Sequence, residues 1–169
     1  MRKLSQWFKH SKSSVKEPQD MPKNVTLEDV RRAVFEWERD MGEQISRTVL
    51  LNEDQSIDLA RLRRYLGGVS DQKFYMSRST FQIFEEKDKE IPRYLDMVQI
   101  AVDGYLDDHS NLPIIEGSRN RQINYERLIQ EHYLTEKPEI PLYLTTEEFL
   151  LTHKPDWYEK SHIRHTYHM

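Results

Sequence analysis

Two short phrases constrain this chain more than any other feature. SIDLARL at 56–62 and QINYERL at 122–128 place an Ile, then Asp or Asn, then Arg-Leu at matching positions. Asp58 and Asn124 are residue types that cap helix N-termini, so each phrase reads as a strand end, a cap and a short helix. The surrounding segments match in the same order. Leu27, Val30, Ala33, Val34 and Trp37 share helical spacing with Leu95, Val98, Ala101, Val102 and Tyr105, 68 residues on. Thr26 is a good cap for the first of these helices, and Glu28 and Asp29 suit its positive N-terminal end. TVLL at 48–51 and LPII at 112–115 follow as strand candidates, each before a polar turn. FYMSRSTFQIF at 74–84 then aligns with LYLTTEEFLLT at 142–152. Here the residue types predict a strand, a Ser or Thr cap and a short helix, with Thr145 and Glu148 spaced as a capping box. A β-hairpin is the alternative, because STFQIF also has strand propensity.

This order predicts an α+β fold of two pseudo-repeats, about residues 25–86 and 91–154, each running helix–strand–short helix–strand–short helix. A unit of about 60 residues buries too little surface to be stable alone. The two are therefore expected to share one core. The expected organisation is a basic segment, 1–24, a duplicated domain, 25–155, and a His-containing tail, 156–169. LEDVRRAV, SIDLARLRRYLGG, FYMSRSTFQIFEE, DMVQIAVDGY and LYLTTEEFLLTHKP together resemble a family of short bacterial proteins from Bacillus-type endospore formers, classed as a domain of unknown function. The resemblance spans roughly 25–155. It implies a bacterial, cytoplasmic or membrane-peripheral protein, and carries no activity or site residues.

Composition narrows the function classes. Without Cys, no disulfide framework, thiolate metal site or cysteine nucleophile can form. No apolar run reaches membrane-span length. The basic N-terminus has no apolar core of the kind a secretory signal needs. Residues 1–16 hold five cations and no acid within a chain of net charge −4, so the remainder carries −9. An acidic body argues against nucleic-acid binding, whose affinity comes largely from phosphate neutralisation.

Three constellations carry candidate chemistry. On a helix, Leu4, Trp7, Phe8 and Val15 of the N-terminal segment fall in one sector, flanked by Arg2, Lys3, Lys9, Lys12 and Lys16. That is the pattern of a helix lying on an anionic membrane surface. Arg61, Arg63 and Arg64, with Arg119, Arg121 and Arg127, form a second basic set. From it Arg61, Arg64 and Arg127 are the candidates for binding an anion or a partner. His162, His165 and His168 lie three apart, but no close carboxylate set or preorganised shell accompanies them. They are assigned no metal, and no cofactor is expected. No phosphate-binding loop, nucleophile elbow or zinc-protease motif occurs. The expected function is a non-enzymatic, cytoplasmic module that recognises a protein partner and attaches to the inner membrane face through its basic end. The alternative is an enzyme with an acid/His site between the repeats, using His109 or His132.

Overall fold

The computed structural model describes residues 20–155. Helix α1 (Leu27–Met41) starts at a capping box. Thr26 Oγ1 accepts from the Asp29 N–H at 3.1 Å, and the Thr26 N–H donates to Asp29 Oδ2 at 2.9 Å. Val30, Ala33, Val34 and Trp37 recur at helical spacing and are buried. A 3₁₀ turn at Leu59–Leu62, capped by Asp58, leads into the single-turn helix α2 (Arg63–Leu66). Gly67 closes α2 at φ +71°, and Gly68 comes so near the Met21 carbonyl that a Cβ there would meet it at 2.6 Å. Strands β1 (Phe74–Met76) and β2 (Ile83–Glu85) form an antiparallel hairpin with Met76 opposite Ile83. The second half follows with α3 (Glu90–Asp108), α4 (Tyr125–Gln130) and the antiparallel pair β3 (Tyr143–Leu144) and β4 (Leu151–Thr152). The fold is α+β, made of helices and two small antiparallel sheets.

Many backbone bonds of the first half recur in the second. Ile57 N donates to Phe74 O at 2.8 Å, and Ile123 N to Leu142 O at 2.9 Å. Met76 N reaches Gln55 O, as Leu144 N reaches Arg121 O, both at 3.0 Å. Ser77 N donates to Gln82 O at 3.0 Å, and Thr145 N to Leu150 O at 2.8 Å. Gln55 and Arg121 share positive φ (66° and 55°), and Phe81 and Phe149 share φ of 56°. Each hairpin is thus flanked on one side by the segment that precedes the short helix, leaving β2 and β4 as outer strands.

Several sequence expectations need correction. TVLL does not form a strand. Arg47–Leu50 is a 3₁₀ turn, started by Ser46 Oγ accepting from Thr48 N, and only Leu51 reaches an isolated bridge, to Ile57. LPII likewise contributes one bridge, Ile114 to Ile123. The final short helix of each half is instead the second strand of a hairpin. Ser77 Oγ accepts from Thr80 N, Phe81 turns the chain through positive φ, and the Ile83–Phe84 run then returns along β1. Glu148 and Phe149 both have positive φ, which a right-handed helix cannot tolerate. Thr145 Oγ1 donates to Glu147 O rather than capping a helix.

Nor do the described residues share a single interior. Apart from Tyr75, the buried apolar side chains fall into two clusters, one centred on α1, α2 and β1, the other on α3, α4 and β4. The division passes between neighbours: Ile83 packs in the first cluster and Phe84 in the second. Alternate strand residues point to opposite faces, so β2 can serve both. Polar bonds tie the halves at this seam. Asp96 of α3 accepts from Ser77 Oγ (2.7 Å) and from the N–H groups of Arg78 and Ser79 (both 3.0 Å), and it also takes a short bond from Gln55 Nε2. One carboxylate of the second half thereby holds the turn of the first hairpin.

Candidate functional site

The site begins with strand edges. A hairpin residue opposite a non-hydrogen-bonded partner turns its N–H and C=O outward. The Ser77–Gln82 bond fixes that pair as hydrogen-bonded, so Ile83, one residue on, is outward-facing. The Thr145–Leu150 bond gives Leu151 the same attitude in β4.

The two outer edges meet different surroundings. Leu151 N donates to Gln99 Oε1 of α3 at 3.0 Å, and Leu151 O accepts from Gln82 Nε2 at 2.8 Å. Gln99 Nε2 also donates to Phe149 O at 3.3 Å and to Asp103 at 2.9 Å. Gln99 is 4% exposed, so it closes this edge as part of the interior. The residue at the matching place on α1, 68 positions earlier, is Arg31. It is half exposed, and a guanidinium can only donate.

Between α1 and β2 lies an open cleft of about 250 Å³, lined by Arg31, Phe35, Arg47, Phe81, Ile83 and His153 among others. Phe35 is 61% exposed on the helix, a large apolar cost for a surface position. Arg47 is engaged. Its Nε donates to Glu38 at 2.8 Å, a second short bond joins the same carboxylate, and the guanidinium lies 5.3 Å from the centre of the Phe81 ring. Arg31 is held loosely, by Glu28 at 3.7 Å in an exposed pair of the kind that contributes little. None of the described residues lining the cleft is a carboxylate. His153 enters from just beyond β4 and packs edge-on against Phe84 at 5.0 Å. Its Nδ1 lies 3.4 Å from Gln82 Oε1. Burial pushes its imidazole below the usual range, with Lys154 and Arg31 acting in the same direction and Asp88 against them.

Residues 20–153 match the family model described as protein of unknown function (DUF3939). The chain belongs to that family. The comparison with curated proteins and the comparison with solved structures both return no match. In this DUF3939 chain the matched residues include both hairpins, both long helices and the cleft between α1 and β2.

The residues singled out in the sequence lie elsewhere. Arg61 sits on the 3₁₀ turn before α2 and pairs with Asp58 at 3.2 Å. Arg64 is on α2, 5.8 Å from the centre of the Tyr65 ring. Arg127 is on α4. None of the three lines the seam cleft. The membrane-surface set Arg2, Lys3, Leu4, Trp7, Phe8, Lys9 and Lys12 lies outside the described residues, as do His162, His165 and His168. Among the described residues no helix is long and apolar enough to cross a membrane, and no cluster of three or more His and carboxylate ligands forms.

His109 does join a carboxylate, but within the second half rather than between halves. Its ring stacks on Tyr105 at 4.0 Å, its Nε2 pairs with Glu131 at 2.8 Å, and its Nδ1 meets the Tyr105 carbonyl at 3.0 Å. Tyr133 donates to Asp108 at 2.5 Å, and that carboxylate pushes the phenol up to about 12. His132 sits at positive φ in the turn after α4. The sequence reading missed Arg31, Phe35, Gln99 and His153. Laying one long helix over the other would have raised three of them, since Arg31 faces Gln99 and Phe35 faces Asp103 in that alignment.

The lowered His153 sets a pH dependence. An unfolded imidazole titrates near 6.5 and so takes up its proton before the folded one does. Stability is therefore full above that pH and falls as the pH drops through 6.5 toward the folded value. Urea denaturation at pH 7.5 and pH 5.0 checks this. The loss of midpoint on acidification should be smaller in His153→Gln than in the natural chain; equal losses would remove His153 as a contributor.

Proposed function

We propose that this protein is a non-enzymatic interaction module whose recognition surface is the seam cleft and the β2 edge beside it. The observation that carries this reading is the contrast between edges. β4 is closed from within by Gln99, whereas the matching edge of β2 faces an open cleft flanked by an exposed Phe35. Sheet edges of this kind receive extended segments of other proteins, and a neighbouring apolar pocket gives the contact its selectivity. The recurring backbone bonds support descent of both halves from one duplicated unit, in which one copy retained a closed edge and the other an available one.

The test is selection of peptides from a displayed random library on the purified full chain. Selected peptides should bind the natural chain and lose about tenfold in affinity for Phe35→Ala, as expected when a central aromatic anchor is truncated. Phe35 is exposed, so its truncation should leave the thermal midpoint in place. Peptides that bind both chains alike would place recognition away from the cleft, and the reading would fail.

A second element rests on the sequence pattern of residues 1–16. These five cations with Trp7 and Phe8 form a reversible anchor to the anionic inner face of the cell membrane, which places the module in the cytoplasm. Each cation near such a surface contributes at most about 1 kcal/mol, so attachment should be weak and salt-sensitive. Sedimentation with vesicles containing phosphatidylserine should pellet the full chain more than a chain lacking residues 1–18. Equal pelleting would rule the anchor out.

A further inference from the structure

We infer that the seam cleft takes a carboxylate, carried as the side chain of an acidic residue in the partner's segment and seated between the Ile83 N–H and the Arg31 guanidinium. This rests on the interaction-module reading and specifies the chemistry of its partner. In the second half, the outward N–H of Leu151 meets an acceptor, the amide oxygen of Gln99. In the first half the helix carries Arg31 at the matching sequence position, and Arg31 and Ile83 line the same cleft, so an acceptor placed between them would meet two donors. An anionic oxygen satisfies both, through a charge-assisted bond to the guanidinium and a second bond from the backbone N–H.

Charge supports the same choice. The described lining carries two guanidiniums, and no carboxylate among its own side chains competes for the place. Glu28 reaches Arg31 only from the neighbouring turn of α1, at 3.7 Å and in solvent. Arg47, already neutralised by Glu38, holds Phe81 in position instead of binding the ligand. Phe81 and the exposed Phe35 line the same cleft and offer apolar surface to the residues beside the acidic one. A peptide supplies such neighbours, whereas a free small carboxylate does not.

The test is titration of the ¹⁵N-labelled full chain with three probes: acetyl-Phe-Glu-Phe-amide, its Gln counterpart acetyl-Phe-Gln-Phe-amide, and sodium acetate. The acidic peptide should shift the Ile83 amide and the Arg31 side-chain signals. It should bind about fivefold or more tighter than the Gln peptide, because the charged acceptor makes the stronger bond. Arg31→Gln places a glutamine where Gln99 stands in the other half, so it should close the edge, keep the folded spectrum and abolish the response. Arg31→Lys keeps the charge without the planar fork and should retain part of it. Equal binding of the Glu and Gln peptides at Ile83 would overturn the carboxylate and leave the module reading intact. Acetate binding as tightly as the peptide would overturn the peptide source. An acidic peptide that leaves Ile83 unmoved, or binds Arg31→Gln as well as the natural chain, would overturn the inference. The module reading would then stand or fall on the library selection with Phe35→Ala.

Discussion

An outer strand turns half of its N–H and C=O groups away from its hairpin partner, and those groups must bond to something. In the second half of this protein the requirement is met internally. Gln99 and Gln82 take the N–H and C=O of Leu151, so β4 is bound between α3 and the start of β2. The bond from Gln82 has a structural consequence beyond satisfying an edge. Gln82 immediately precedes β2, so the closure of one hairpin fixes the other against it. His153, Phe84 and the cleft beside them follow from that placement.

The halves are joined more by polar bonds and by one two-faced strand than by a common interior. Asp96 gathers Ser77, Arg78, Ser79 and Gln55 at the turn of the first hairpin, although it belongs to the second half's helix. β2 sends Ile83 into one apolar cluster and Phe84 into the other. Such a seam is specific, since each donor and acceptor has a set place, but it leaves room along the outer side of β2 where α1 does not close in. Arg31 and Phe35 stand where a buried Gln and an Asp stand on α3, and neither completes the seam. Both line the cleft.

Much of the architecture could be read from apolar spacing. α1 and α3 emerged because their buried residues recur every three or four positions over many turns, and Thr26 marked the start of α1. The caps Asp58 and Asn124 were legible because their side chains act on the next turn alone. The error at the hairpins has a local cause. Ser77 and Thr145 resemble helix caps in sequence, yet positive φ at Phe81 and Phe149 turns the chain back into a strand. The pairing of the strands on either side fixes those turns, and residue type does not report it. The expected single core failed for a related reason, because which face of β2 meets which cluster depends on how the halves dock. The basic residues chosen from sequence were conspicuous by clustering. Arg31 was not, because it meets the cleft only beside a strand 52 residues away in the sequence.

The two hairpin edges differ at one pair of amides, and hydrogen exchange of the ligand-free chain measures that difference. Corrected for intrinsic rates, Leu151 should exchange at least about tenfold more slowly than Ile83, since its N–H opens only when the seam opens. Protection of Ile83 equal to that of Leu151 would mean that the β2 edge is already closed, and the contrast on which the cleft's role depends would not exist.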